Sequence, residues 1–274
     1  MVFTLISAIP GTHESTKSVV LQASGNISEP VLKQSADIIS ARLKLYGMNS
    51  FDIKVSNEKR QVVLVVPGET NIKEIEGLLT SKGELSFYET YTKDEIIDLF
   101  RNDNQLFKIL SRDHMLSTSD PRVGCTDSEN LKKAETYVQS VKSVTNCKLT
   151  WSNESAKSGY CLFALKTNNE GKAFIGRADI KSVKAVAGKD PGDLKIQINL
   201  KPSAFSIFAD ATKRNLHKSI AIVIDDKVNS WPVVQSVIEG GEIEVTGDFN
   251  EKDVKFFPVI FNTEELPLSF TIIK

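Results

Sequence analysis

Residues 18–47 read SVVLQASGNISEPVLKQSADIISARLKLYG, and residues 51–68 read FDIKVSNEKRQVVLVVPG. Ser18 to Ala23 has the makeup of a strand, which Gly25 and Asn26 break. Ser28 can cap a helix whose first turn holds Glu29 and Pro30, where an acid and a proline are best tolerated. Leu32, Ala36, Ile39 and Leu43 recur at three- and four-residue spacing and form one apolar face. Gly47 stands where a left-handed C-terminal cap belongs. Phe51, Ile53 and Val55 then alternate with polar residues as in a half-buried strand. The charged turn Asn57 to Arg60 leads into Val62 to Val66, a run too apolar for an exposed strand, which Pro67 and Gly68 stop.

Working outward, Asn71 and Glu74 resemble a capping box for a short helix buried through Ile72, Ile75 and Leu79. Gly83 ends it, and Leu85 and Phe87 begin another alternating strand. The order strand, helix, strand, strand, helix, strand is that of the ferredoxin-like split βαβ arrangement. The tail has the same texture: a helix with Val254, Phe257 and Phe261 capped by Asn250, then an alternating strand through Leu266, Leu268, Phe270 and Ile272.

Between these ends the texture changes. Thr92 and Glu95 make a capping box for a helix through Ile96 and Phe100. His114 to Asn130 is polar, holds Pro121 and Gly124, and reads as a long loop. Leu131, Ala134, Val138 and Val141 suit a helix face. Glu170 to Gly192 has no sustained period. Ile196 to Leu200 alternates as a strand, Pro202 opens a helix through Phe205, Phe208 and Thr212, and Ile220 to Ile224 is a strand that turns at Asp225-Asp226. The expected fold class is therefore α+β: a ferredoxin-like base of residues 17–91 plus 247–274, with an inserted α+β head of residues 92–246. Residues 1–16 form an N-terminal extension, either an edge strand or what is left of a trimmed start. Its apolar run lacks the basic flank of a signal peptide.

The chain has 274 residues, 41% of them hydrophobic, with 34 basic against 35 acidic side chains. Near-zero net charge argues against a nucleic-acid partner. No apolar stretch approaches the ~18 to 20 residues of a membrane span. The three cysteines, Cys125, Cys147 and Cys161, contain no CxxC pair. Cys147 and Cys161 flank a polar stretch, Ser152 to Gly159, that suits a hairpin loop. Two readings stand for them, a cross-strand disulfide and buried free thiols.

His13, His114 and His217 have no metal-ligand spacing, no G-x-S-x-G elbow or phosphate-binding glycine loop is present, and no set of nucleophile, base and acid can be assembled. The expectation is a non-enzyme without cofactor or metal. The basic cluster Lys213, Arg214, His217 and Lys218 could contact an acidic partner or lipid headgroup, but reads better as solvated cations complementing a helix C-terminus. Asp225-Asp226 could suggest a cation site but reads better as turn chemistry. Trp231 has two readings, an exposed anchor for an unfolded segment or a core residue. Gly240-Gly241 likewise reads as a hinge between lobes or as a tight turn.

Residues 203–267 carry a resemblance. A helix leads to an apolar strand and its D-x-K-V turn, Asp225-Asp226-Lys227-Val228. Ser230-Trp231-Pro232-Val233-Val234 follows, then Gly240-Gly241, a short strand, Thr246-Gly247-Asp248-Phe249, a helix, and Leu266-Pro267-Leu268. In this order the features resemble the first periplasmic domain of the SecD protein-export family. IISARLKLYG at 38–47, VVLVVPG at 62–68 and Gly83 to Glu89 add to the likeness, which covers roughly 17–89 and 179–272.

The resemblance implies an extracytoplasmic bacterial domain that binds unfolded or translocating polypeptide, with a Sec-type membrane complex as a further partner. Trp231, Pro232, Val233 and Val234 would line an apolar groove, and Gly240 and Gly241 would serve as the hinge. The alternative is an accessory or surface-lipoprotein binding module that kept the fold without an export role. The chain departs from the family in having no transmembrane helices and no GLDLxGG-like stretch, in Pro258 interrupting the final helix, and in residues 91–178, which match nothing in it.

Overall fold

The computed structural model describes residues 15–25, 27–100, 105–111, 120–141, 145–153, 159–187, 194–246 and 251–273. The N-terminal extension through residue 14 and the Asn250 cap lie outside the described residues. In chain order the elements are β1 (Thr16–Ala23), α1 (Glu29–Tyr46), β2 (Asp52–Ser56), β3 (Gln61–Pro67), α2 (Ile72–Thr80), β4 (Leu85–Thr90) and α3 (Lys93–Leu99). Then come α4 (Leu106–Ile109), β5 (Arg122–Thr126), α5 (Leu131–Ser140), β6 (Cys147–Trp151), β7 (Tyr160–Lys166) and β8 (Ile180–Ala187). The chain closes with β9 (Leu194–Leu200), α6 (Phe205–Arg214), β10 (Ile220–Ile224), β11 (Lys227–Ser230), β12 (Glu242–Thr246), α7 (Glu251–Asn262) and β13 (Phe270–Ile273). They fall into two compact units, Met1–Gly83 with Ala187–Leu194 and Asp248–Lys274, and Glu84–Val186 with Lys195–Gly247.

The first unit holds an antiparallel four-stranded sheet in the order β13-β1-β3-β2. Along β3 the pattern predicted from sequence becomes a strict alternation: Val62, Leu64 and Val66 are buried, and the residues between them are half-buried. The helix of residues 29–46 has its acid and proline in the first turn, and Gly47 takes the left-handed conformation at φ 103°. There the Met48 N–H donates to Leu43 O and the Gly47 N–H to Lys44 O, answering carbonyls the helix leaves open. α7 continues through Pro258, so the interruption expected there does not end the helix.

The strand expected to complete the base sheet is the one that differs. β4 pairs with β10 and β7 in the second unit, and β13 lies beside β1 instead. Periodicity gives a strand its faces and not its neighbour. Leu85 to Thr90 is buried along almost its whole length, which suits the middle of a large sheet better than an edge. Residues 84–91 therefore lie with the second unit.

Arg42 holds the first unit's helices, and it is fully buried. Its guanidinium donates to the carbonyls of Leu78, Ser81 and Lys82 at the end of α2, and to Glu264 O and Thr263 Oγ1 just after α7. The last carbonyls of a helix lack partners and carry the negative end of its dipole, so two helix ends together solvate one cation. Gly83 lies against this site at φ +85°, and a Cβ there would meet Arg42 Nη2 at 3.0 Å and Ile260 Cγ2 at 3.1 Å.

The second unit is built around β7. Its residues alternate between two cores: Leu162 and Ala164 join Ile96, Phe100, Leu106, Val123, Ala134 and Trp151. Cys161, Phe163 and Leu165 join Tyr88, Cys125, Ala221, Val223 and Val228. The sheet runs β11-β10-β4-β7-β5, with β6 also on β7. A parallel bridge between Ser152 and Val228 then joins the end of β6 to β11. β4, β7, β6, β11 and β10 thereby close a ring around the second cluster, leaving few unpaired edges. The turn from β10 to β11 is made by Asp225 and Asp226, at φ 47° and 61°, as the two-residue hairpin geometry requires.

Two local expectations are corrected. Within the stretch read as a loop from 114 to 130, residues 122–126 form β5, whose pairing to β7 a polar flank with proline and glycine conceals. The disulfide joins Cys125 to Cys161, and Cys147 is free. The hairpin of β6 and β7 does form, but its register sets Cys147 opposite Lys166 and Cys125 of β5 opposite Cys161.

Replacing Arg42 with methionine removes the buried donors that the Leu78, Ser81 and Glu264 carbonyls accept from, so Arg42→Met is expected to lower unfolding free energy by about 3 kcal/mol in a denaturant titration. An unchanged midpoint and slope would show that the buried cation contributes nothing net.

Candidate functional site

β11 continues past Ser230 as an extended segment, and its chemistry follows from what each residue faces. Val234 is buried, Trp231 and Pro232 are half-buried, and Val233 is 43% exposed. Pro232 O accepts from the Ile220 N–H at 3.1 Å, the Val234 N–H donates to Lys218 O at 2.9 Å, and Val234 O accepts from the His217 N–H at 2.9 Å. The segment is thus laced on one side to the connector between α6 and β10.

Trp231 packs inward. Its ring centroid lies 4.8 Å from that of Phe163 at a tilt of 52°, beside the core that contains the Cys125–Cys161 disulfide. The Arg122 guanidinium stands 5.9 Å above the same ring, within cation–π reach. Arg122 itself is paired with Asp120 at 2.5 Å, both side chains being largely buried. No sequence pattern pointed to this Asp120–Arg122–Trp231 arrangement, because β5 itself was hidden. The four residues singled out at 231–234 are contiguous in space as in sequence, and Val233 is the most exposed of them.

Gly240 and Gly241 sit elsewhere in the unit. Gly240 is open, with nothing within 4 Å of the place a Cβ would take, whereas Gly241 has φ +66° and a Cβ there would collide with the Phe205 ring. Gly241 O accepts from the Leu200 N–H at 2.9 Å. The pair therefore shapes a packed turn inside the second unit, short of the unit boundary at Gly247. Beside it the open face of the sheet β12-β9-β8 forms a shallow polar cavity of about 330 Å³ lined by Lys181, Ser182, Lys184, Gln197, Asn199 and Glu242.

Catalytic groups are commonly marked by shifted titration. Burial pushes the Cys147 thiol up to about 11, so it stays protonated at neutral pH and is no activated nucleophile. Glu95 is half-exposed; burial acts to raise its carboxyl, but the Lys166 Nζ bond at 2.7 Å and the Thr92 N–H at 2.7 Å outweigh it and hold the group low. The Thr92–Glu95 capping box read from sequence is the reason that N–H is there. Among the described residues no group of three or more His, Cys, Asp or Glu side chains could hold a metal ion. His13 and His114 lie outside the described residues, and His217 is exposed.

Residues 164–268 match the family model described as SecDF, P1 head subdomain. The chain is 24% identical over 247 residues to the protein translocase subunit SecD of Borreliella burgdorferi, covering 89% of this chain and 39% of that one. These matches support a SecD/SecDF periplasmic P1 domain. The SecD of Endomicrobium trichonymphae is 32% identical over 104 residues, 38% of this chain and 22% of its own length. The SecDF of Brucella abortus is 22% identical over 249 residues, 91% of this chain and 27% of its own.

Solved structures agree on the fold. SecDF in a super-membrane-facing form matches with a TM-score of 0.57 at 17% identity, over 95% of this chain and 30% of that chain. A second SecDF structure, of a membrane component that enhances protein export, gives 0.54 at 16%, over 94% of this chain and 98% of that chain. The chain spans well under half the length of the curated relatives it matches. No described helix is long and apolar enough to cross a membrane. The mixed helix-and-strand fold expected from sequence is the one found.

Two titrations test the chemistry of these groups. In the native protein the Cys147 thiol is expected to react slowly with iodoacetamide at neutral pH and faster only as pH approaches about 11, and Cys125 and Cys161 are expected not to react without reductant. Rapid alkylation at pH 7 would contradict its burial. For Glu95 the folded value lies below the unfolded one, so its stabilisation is complete above the ordinary glutamate range and lost as pH falls through the folded value. Lys166→Met is expected to raise the Glu95 midpoint, read from its side-chain carboxyl NMR shift; no movement would mean that the ion pair is not formed in solution.

Proposed function

We propose that the second unit binds unfolded polypeptide outside the cytoplasm in connection with Sec-type protein translocation. The observation that carries this reading is the segment Trp231 to Val234. It borders the six-stranded sheet in extended form, anchored from beneath by Trp231 and Val234, with Val233 facing solvent. Leu216 and Val237, each 37% exposed, flank it. Leu216 is bridged directly to Val234, and the Ile238 N–H is held by Thr212 Oγ1 at 3.1 Å, which fixes the far end of the strip.

Exposed apolar side chains on a firmly laced backbone suit a ligand that has no fixed shape of its own. Apolar contact supplies affinity without demanding a sequence, and a preorganised surface loses little entropy on binding. The likeness to SecD and SecDF proteins supports the same reading and adds a Sec-type membrane complex as the partner that would deliver the chain. An extracytoplasmic location in a bacterium follows from that likeness too.

Titration of the protein against a permanently unfolded polypeptide tests the proposal. Saturable binding is expected, with Val233→Asp weakening it about tenfold or more while thermal unfolding stays as in the parent. Val233 is the cleaner probe than Trp231, whose removal would also strip the Phe163 core. Failure to bind at any reachable concentration would sink the reading and favour an accessory module that kept the fold.

A further inference from the structure

The backbone of residues 231–235 says more than its side chains. Val234 turns both its N–H and its C=O toward the 216–220 connector, and the Pro232 carbonyl points the same way. Peptide groups alternate along an extended chain, so those of Trp231 and Val233 face the opposite side. The Val233 carbonyl accepts only the Gln235 side-chain amide, at 3.3 Å. Neither the Trp231 N–H nor the Val233 N–H has a hydrogen-bond partner among the described residues. Prolines usually blunt a sheet edge by removing a donor. Here Pro232 stands at the inward-facing position, so both outward donors survive.

Charge adds a second observation. Lys213, His217 and Lys218 are exposed around the strip, whereas Arg214 is tied to Glu89 at 2.6 Å. Lys213 and Lys218 have no ion pair among the described residues. Lys218 lies directly across from Val234, and Lys213 follows the Thr212 that holds residue 238.

We propose that this edge takes its polypeptide as an added β-strand, with apolar side chains at alternate positions over Val233 and Val237 and acidic side chains within reach of the long Lys213 and Lys218 side chains from across the segment. It rests on the polypeptide-binding reading above and specifies the ligand's conformation and composition. Backbone hydrogen bonds give strand addition its affinity for any sequence, and alternate side chains give it preference. The cations complement an acidic ligand and repel a basic one.

The test uses the whole protein and a set of unstructured peptides. One has an alternating valine core with glutamate at both ends, a second has lysine in place of glutamate, and further ones carry a single backbone N-methyl group at successive core positions. The glutamate peptide is expected to bind at least about tenfold more tightly than the lysine peptide, and the preference to shrink in Lys213→Glu/Lys218→Glu. N-methylation is expected to weaken binding about tenfold at alternate positions and little at the positions between. Equal binding whichever position is methylated would overturn strand addition, and equal binding of both charge types would overturn the acidic preference, each leaving polypeptide binding intact. If no unfolded chain binds at all, both proposals fall together.

Discussion

The first unit depends on one buried cation answered by helix ends. Taking a guanidinium out of water is costly, and a carboxylate partner is the usual remedy. Here the partners on α2 and α7 are carbonyls and a threonine hydroxyl drawn from residues 78–82 and 263–264. The guanidinium in turn brings donors to carbonyls at two helix ends, so each side lowers the other's desolvation penalty. The same contact ties α1, near the start of the chain, to α7, near its end, and the Leu266 N–H bonded to Lys82 O at 2.9 Å extends it toward β13. A glycine is needed at position 83 because any side chain there would press on the guanidinium.

The second unit solves a different problem. A strand buried on both faces must contribute to two cores, and β7 does so by sending odd and even residues to opposite clusters. Its two sides carry β6 on one and β4 with β5 on the other. The Ser152–Val228 bridge then turns an open sheet into a ring, and the Thr150 hydroxyl bonded to Asp226 O helps to hold the seam. The Cys125–Cys161 disulfide fixes β5 to β7 where the register is broken by a bulge near Arg122 and Gly124.

That construction explains why residues 231–235 can offer an edge at all. A ring of strands has few free backbone groups, so those that remain stand out against it. The segment after β11 leaves the ring and is held by the α6–β10 connector along one side. Trp231, packed on Phe163 beneath Arg122, fastens the start of the segment to the core. Apolar exposure at Val233 is therefore displayed from a backbone held by hydrogen bonds, which suits the polypeptide ligand proposed above.

Local rules in the sequence determined a good deal. The apolar face of α1, its acid and proline at one end and Gly47 at the other, the Thr92–Glu95 box and the Asp225-Asp226 turn all follow from interactions within a few residues, and each is found. The segment 231–234 stands out in the sequence because a tryptophan and a proline interrupt a valine-rich run. What the sequence did not determine was partnership across distance. Nothing local distinguishes β13 from β4 as the neighbour of β1, Cys125 from Cys147 as the mate of Cys161, or Arg42 from an ordinary surface arginine on a helix. Those choices belong to the tertiary structure, because each is settled by groups dozens to hundreds of residues away, and only packing brings them within bonding distance.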